Sequence, residues 1–319
     1  MSAVAKTSGH RPLPFNAGSH SPLSLHDRTS SERLLPVSLS VVNGQRTRIA
    51  GGSGHLGVKM VSGQSAATSV WASSPLKILV PRPRGQSVWA YLSSYGGGLV
   101  AGDETSVTLE LAARTRCFLS TQASTKVYRN PAGRPCGHRL KATLGEGSVL
   151  ALAPDPVQAF AGSSYTQRQE FHLASGSGLV LVDWLCSGRM ARGERWVFDC
   201  FRSRNDIFLG GERVFLDSLL LNSTEVPLTG AHGMGRFNCL ATVLLIGEPL
   251  RTASAKMLQD FATRPVTRAA SLLYSASPIA HGTLLRLAGE EVEEVGREIH
   301  RQLAFLSGFL HDDPWSKKW

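Results

Sequence analysis

From residue 56 onward the chain breaks into short apolar alternations separated by turn signals. Leu76, Ile78 and Val80 alternate with polar neighbours, and so do Val107, Leu109 and Leu111, then Leu140, Ala142 and Leu144. LVLVDW (179–184) and WVFDCF (196–201) are further short runs rich in β-formers. PRPRG (81–85), NPAGRP (130–135) and ASGSG (174–178) punctuate them. Many short strands at intervals of roughly ten residues predict a sandwich, barrel or stacked-sheet architecture. Helical periodicity is confined to the C-terminal third. Residues 290–306 place Val292, Val295, Ile299, Leu303 and Leu306 on one face, and a shorter candidate runs from Ser254 to Phe261. Strands and helices do not alternate, which argues against a doubly wound nucleotide fold, and no repeat of fixed period is visible. The expectation is a mainly β protein, with layered sheets in one large domain and a few helices toward the C-terminus.

SSYGGGLVAGDETSV (93–107) tests that expectation. Gly96, Gly97, Gly98 and Gly102 could cradle a phosphate, but such a cradle needs a helix N-terminus directly behind it. DETSVTLEL follows instead, and its alternation makes a strand. The segment therefore reads as a glycine-rich turn between strands 88–92 and 106–111. Asp103, at the entrance of the second strand, is either the cap of that turn or a functional carboxylate.

The net charge of +10 and a pI near 9.7 admit nucleic acid or acidic partners. The basic residues are scattered, however, and are not interleaved with aromatics, which argues against nucleic acid. No apolar run is long enough to span a membrane. Cys117, Cys136, Cys186, Cys200 and Cys239 form no C-x-x-C pair, which predicts buried free thiols in a reducing, cytoplasmic compartment. Residues 1–33 lack apolar periodicity and read as a disordered or loosely attached extension, carrying His10, His20 and His26.

Three polar constellations remain. DWLCSGRMARGERW (183–196) gathers Asp183, Arg189, Arg192, Glu194 and Arg195 between two tryptophans, the second being Trp196. Asp183 with Glu194 could in principle perform acid/base chemistry as a hydrolase pair; internal ion pairing is the plainer reading. APDPVQAFAGSSYTQ (153–167) is a proline-stiffened loop with Asp155, Gln158 and Tyr165. TQASTKVYRN (121–130) carries Ser124 and Thr125. No nucleophile elbow or zinc-protease motif is present.

Taken in order, GGGLVAGD, STQASTKVYR, LAPDPVQAFAGSSYTQ and DWLCSGRMARGERW closely resemble the urease accessory family UreD, also called UreH. The resemblance covers roughly residues 56 to 306, within a UreD-like β domain of 34–319. Ser94-Tyr95-Gly96 stands where the family usually has Asn-Pro-Pro. The resemblance implies a scaffold without catalysis of its own that serves nickel-urease maturation. Its implied partners are apo-urease and UreF, with the GTPase UreG recruited through UreF. It also implies a water-filled path for transient Ni²⁺, with no tightly bound cofactor. Such a path needs sparse oxygen and imidazole ligands that release the ion again. Asp103, Asp183, Glu194, Ser124 and Thr125 match family motifs and are the candidates for the path or its rim. Asp155, Gln158, Tyr165, Arg189, Arg192 and Trp196 are candidates for structural organisation or partner contact. A scaffold should also expose an apolar patch, to which helix 290–306 or the segment Leu219–Val226 could contribute.

Overall fold

The computed structural model describes residues 39–42, 45–48, 52–82, 85–265 and 267–315. The extension expected over residues 1–33 lies outside them. Strands β1 (Leu39–Val42) and β2 (Gln45–Arg48) pair antiparallel with each other. From residue 52 onward two sheets face one another. The first holds β3 (Ser53–Val61), β4 (Gln64–Ala72), β8 (Glu104–Leu111), β11 (Cys136–Leu144), β14 (Ser164–Leu173), β16 (Cys200–Leu209) and β17 (Glu212–Asn222). Its spatial order is β17-β16-β14-β11-β8-β3-β4. The second runs β19 (Leu272–Ile279), β20 (Gly282–Gly289), β18 (Cys239–Ile246), β15 (Gly178–Cys186), β12 (Val149–Leu152), β9 (Arg116–Thr121), β6 (Val88–Ser94) and β5 (Leu76–Leu79). Short β7 (Gly98–Leu99), β10 (Thr125–Val127) and β13 (Val157–Ala159) pair in parallel and join this sheet through β15.

Between β8 and β16 the chain visits the two sheets in turn, and each strand pairs in parallel with the one a coil earlier. This is a two-layer solenoid, the layered β architecture expected from the strand pattern. The glycine-rich turn makes one of its crossings. Instead of closing a hairpin, it carries the chain from β6 in the second sheet to β8 in the first. Gly96 and Gly97 sit at φ 81° and 71°, a region where a side chain is strained.

The space between the sheets is filled by Leu56, Leu109, Leu140, Ala142, Phe171, Ile207, Leu119, Leu150, Leu181 and their neighbours. The second sheet is also covered on its outer face, by α1 (Arg251–Ala262), α2 (Val292–Gln302) and α3 (Leu306–Leu310). Burial on both faces explains why β15 is an almost unbroken apolar run rather than an alternation. Val295, Ile299, Leu303, Leu306 and Leu310 are all buried in this layer, each worth about 1.5–3 kcal/mol of apolar transfer. The apolar face of helix 290–306 is therefore core and cannot be the docking patch expected of it. The other candidate segment does expose apolar surface: Leu220 on edge strand β17 and Val226 just beyond it are 53% and 62% exposed, and Leu216, earlier on the same strand, is 42% exposed. WVFDCF is not one strand either. Trp196 has φ 57°, and β16 begins only at Cys200.

Candidate functional site

The solenoid register puts polar side chains where the core should be continuous. On β14 the inward positions are Tyr165, Gln167, Gln169, Phe171 and Leu173. Because neighbouring strands are parallel and in register, each position extends into a rung. Thr105, His138, Gln167 and Ser203 share one rung, and Val107, Leu140, Gln169 and Asn205 the next. The rung below is apolar: Leu109, Ala142, Phe171 and Ile207. Above lies a second apolar cluster with Cys136, Tyr165, Phe201, Leu185, Trp196 and Phe198. A polar layer thus separates two greasy ones.

Asp183 enters this layer from the facing sheet, on the inward side of β15 with Leu179 and Leu181. Three donors converge on its carboxylate: Gln167 Nε2 at 3.0 Å, Ser203 Oγ at 2.6 Å and Asn205 Nδ2 at 2.8 Å. Burial nevertheless raises its pKa above the usual carboxylate range, against the pull of those three bonds. Burial likewise pushes the His138 imidazole down to about 4, so the ring is neutral near pH 7. Thr105 Oγ1 lies 2.9 Å from His138 Nδ1. Asp183 and His138 are both enclosed by protein but keep some accessible surface. That surface belongs to an internal space.

The space is a cavity of about 280 Å³ between the sheets. His138, Gln167, Gln169, Asp183 and Tyr165 line its depth, while Ser124, Thr125, Asp155, Gln122 and Ser93 line its mouth. The mouth residues come from strand ends and the short β10, where the solenoid wall opens. Thr121 Oγ1 receives the Asp155 N–H at 2.8 Å, anchoring the proline-stiffened loop there. Two acids and a histidine line the cavity; no lysine or arginine does. In a chain of net charge +10, that segregation gives the cavity a cation-favouring potential. Among the described residues no three His, Cys, Asp or Glu side chains gather into a metal-holding group.

Of the five path candidates, the structure brings Asp183, Ser124 and Thr125 to this cavity and leaves two outside it. Asp103 Oδ2 accepts the Val100 N–H at 2.9 Å, and the Asp103 N–H closes the same turn on the Val100 carbonyl. Gly102, the third residue of that turn, sits at φ 86°. Asp103 is thus the cap of its turn. We expect Asp103→Ala to lower stability by about 1 kcal/mol, read from the denaturant unfolding midpoint. Glu194 accepts two hydrogen bonds from Arg189 and one from the Ala161 N–H. Arg189 also lies over the Phe160 ring, 4.2 Å from its centroid. This pairing holds the Glu194 carboxyl below its usual range, so its stabilisation is present at neutral pH and lost on acidification. Glu194→Gln should cost about 1–3 kcal/mol in denaturant unfolding at pH 7, and less near pH 4. Because Glu194 is committed to this loop and Asp183 to the cavity, they do not form the carboxylate pair a hydrolase would need.

The remaining candidates divide similarly. Asp155 and Tyr165 line the cavity. Gln158 Nε2 donates to the Gly188 carbonyl at 3.3 Å and tethers the 187–196 loop. Arg189 and Trp196 organise that loop, whereas Arg192 is exposed near its tip beside Met190, which is 42% exposed. Cys186 points away from Asp183, is buried, and has its thiol pushed up to about 11; it packs. Sequence reasoning missed Thr105, His138, Gln167, Gln169, Ser203 and Asn205. Counting alternate positions back from Leu109, Ala142, Phe171 and Ile207 would have placed all six inside.

Residues 50–318 match the family model described as UreD urease accessory protein. The chain belongs to the UreD family. It is 44% identical over 269 residues to "Urease accessory protein UreD" of Sorangium cellulosum (strain So ce56), covering 84% of each chain. It is 40% identical over 266 residues to the protein of that name in Anaeromyxobacter sp. (strain Fw109-5), covering 83% of this chain and 89% of that one. "Urease accessory protein D" of Arabidopsis thaliana is 33% identical over 295 residues, with 83% and 99% covered. In this UreD chain the family-like motifs have separable tasks. GGGLVAGD builds a crossing, STQASTKVYR and LAPDPVQAF border the cavity mouth, and the Asp-Trp pair supplies Asp183 while burying Trp184 in the opposite layer.

Proposed function

We propose that this chain serves the maturation of nickel urease as a scaffold with no turnover of its own. It binds apo-urease and UreF in the cytoplasm, meets UreG through UreF, and offers its inter-sheet cavity as a passage for Ni²⁺. The observation that carries this reading is the polar part of the cavity lining: carboxylate, imidazole, amide and hydroxyl groups set among apolar side chains such as Leu140 and Leu152, with no lysine or arginine. Such a lining admits a divalent cation and holds it loosely. The exposed strip of Leu216 and Leu220 on β17 and the exposed Arg192 are suited to protein contacts.

The test is complementation in a strain lacking only its own UreD. Wild-type chain should restore urease activity and urease-bound nickel, and Asp183→Ala at equal protein level should restore neither. Restoration by an Asp183→Ala, Ser124→Ala, Thr125→Ala triple variant would retain the scaffold and remove the passage.

A further inference from the structure

The tautomer of His138 is coupled to its neighbour. Thr105 Oγ1 has a single proton, which it can donate to the Gly137 carbonyl at 3.2 Å. The same oxygen is 2.9 Å from His138 Nδ1. When that proton is on the carbonyl, Thr105 accepts at this contact and Nδ1 bears the ring hydrogen. Nε2 is then a bare lone pair, and among the described residues no protein donor reaches it. The ring lines the cavity. A hydroxyl behind one nitrogen and open space before the other is how proteins present a metal-binding imidazole.

The acceptors around it are also in surplus. Gln169 Oε1 and Asn205 Oδ1 are buried and have no hydrogen-bond partner. They are register neighbours, and Asn205 turns its amide nitrogen to Asp183. Buried oxygens without donors are costly until something positive reaches them. Gln169 lines the same cavity as His138 and Asp183, so a cation there meets amide oxygen, imidazole and carboxylate in one space.

We propose that His138 is the nitrogen ligand of a transient stopping point for a divalent ion in this cavity, shared with Asp183 and Gln169, and that it selects a borderline transition metal over Mg²⁺ or Ca²⁺. Hard cations gain little from imidazole, while Ni²⁺ prefers it. One imidazole and one carboxylate are too few to trap the ion, which suits passage. Thr105 is the positioning residue. The proposal rests on reading the cavity as an ion passage.

The experiment uses the full chain with His10→Ala, His20→Ala and His26→Ala, titrated with Ni²⁺ alone and with Mg²⁺ alone, with X-ray absorption at the nickel edge. Bound Ni²⁺ should show imidazole scattering. His138→Gln should remove that signature and weaken Ni²⁺ by about tenfold or more, leaving Mg²⁺ affinity and the unfolding midpoint unchanged. Thr105→Val should weaken Ni²⁺ while retaining the imidazole signature. Unchanged Ni²⁺ affinity and spectrum in His138→Gln, or a cavity that takes up only water, would overturn the proposal. The two readings also fail separately. If Ni²⁺ needs His138 yet urease activation survives His138→Gln, the site stands and the passage falls. If Ni²⁺ ignores His138 while Asp183→Asn abolishes activation, the passage stands and the site falls.

Discussion

Asp183→Asn is expected to cut urease activation and urease-bound nickel by about tenfold or more, with protein stability at pH 7 changed by no more than about 1 kcal/mol. The small stability effect is the informative half. The substitution leaves one of the three converging donors facing an amide –NH₂, which destabilises. It also removes a desolvated negative charge, which stabilises, because burial has already raised the pKa of this carboxyl. The sign of the pH dependence separates the two contributions. A carboxyl whose folded-state pKa is raised gives its full stabilisation below the unfolded value, near about 3.9, and loses it as pH rises through the folded one. The contribution of Asp183 should therefore fall as pH climbs above about 4, and the difference between wild type and Asp183→Asn should change with pH in that sense. A residue that weakens its own fold at neutral pH and is still required for activation is retained for function. If the variant activates urease normally, or if its pH profile matches wild type, the buried charge has no such task.

The strands were legible because an apolar alternation needs only a few residues to declare itself. Val107/Leu109/Leu111 and Leu140/Ala142/Leu144 became β8 and β11 with those residues inside. The helices were legible for the same reason, but their exposure was not, since an apolar stripe does not say whether a partner or the protein's own second sheet covers it. The solenoid was hidden because its coils differ in length: β8, β11, β14 and β16 begin at residues 104, 136, 164 and 200. The polar layer was hidden by habit of reading. Gln167 and Gln169 sit among Arg168, Glu170 and Thr166, so the whole stretch looks solvated. Only parity with Phe171 and Leu173 puts the glutamines inside. Asp183 was found through its motif, and no local feature distinguished it from Asp103, whose oxygen closes a turn. What separates them is the fold-wide register, which a stretch of sequence does not contain.

Trp196→Ala should cost about 3–5 kcal/mol, whereas Arg192→Ala, a few residues earlier on the same loop, should stay within about 0.5 kcal/mol. Trp196 is 1% exposed, packs edge-on to Phe198 at 6.0 Å, and donates through Nε1 to the Phe237 carbonyl at 2.8 Å. Its φ of 57° is unfavourable for a bulky residue, and strain of this kind persists only where surrounding contacts over-determine it. The Trp196 N–H to Ser187 carbonyl bond at 2.7 Å and the Arg195 bonds to Asn238 and Gly235 supply that determination. Together they close the 187–196 loop over the upper apolar cluster, which roofs the polar layer. Removing the indole leaves a void in that roof and leaves the Phe237 carbonyl only its longer bond from Arg195 Nη2, at 3.4 Å. Soluble protein should fall and the denaturation midpoint should drop, with urease activation declining in proportion to the folded protein that remains. Arg192→Glu offers the contrast: an unchanged midpoint with weakened capture of UreF or apo-urease in a pull-down would make the loop tip a partner contact. If Trp196→Ala unfolds at the wild-type midpoint, the loop is not anchored through its indole. If Arg192→Glu lowers the midpoint while capture stays intact, the exposed arginine supports the fold instead, and the partner surface should be sought along the β17 edge.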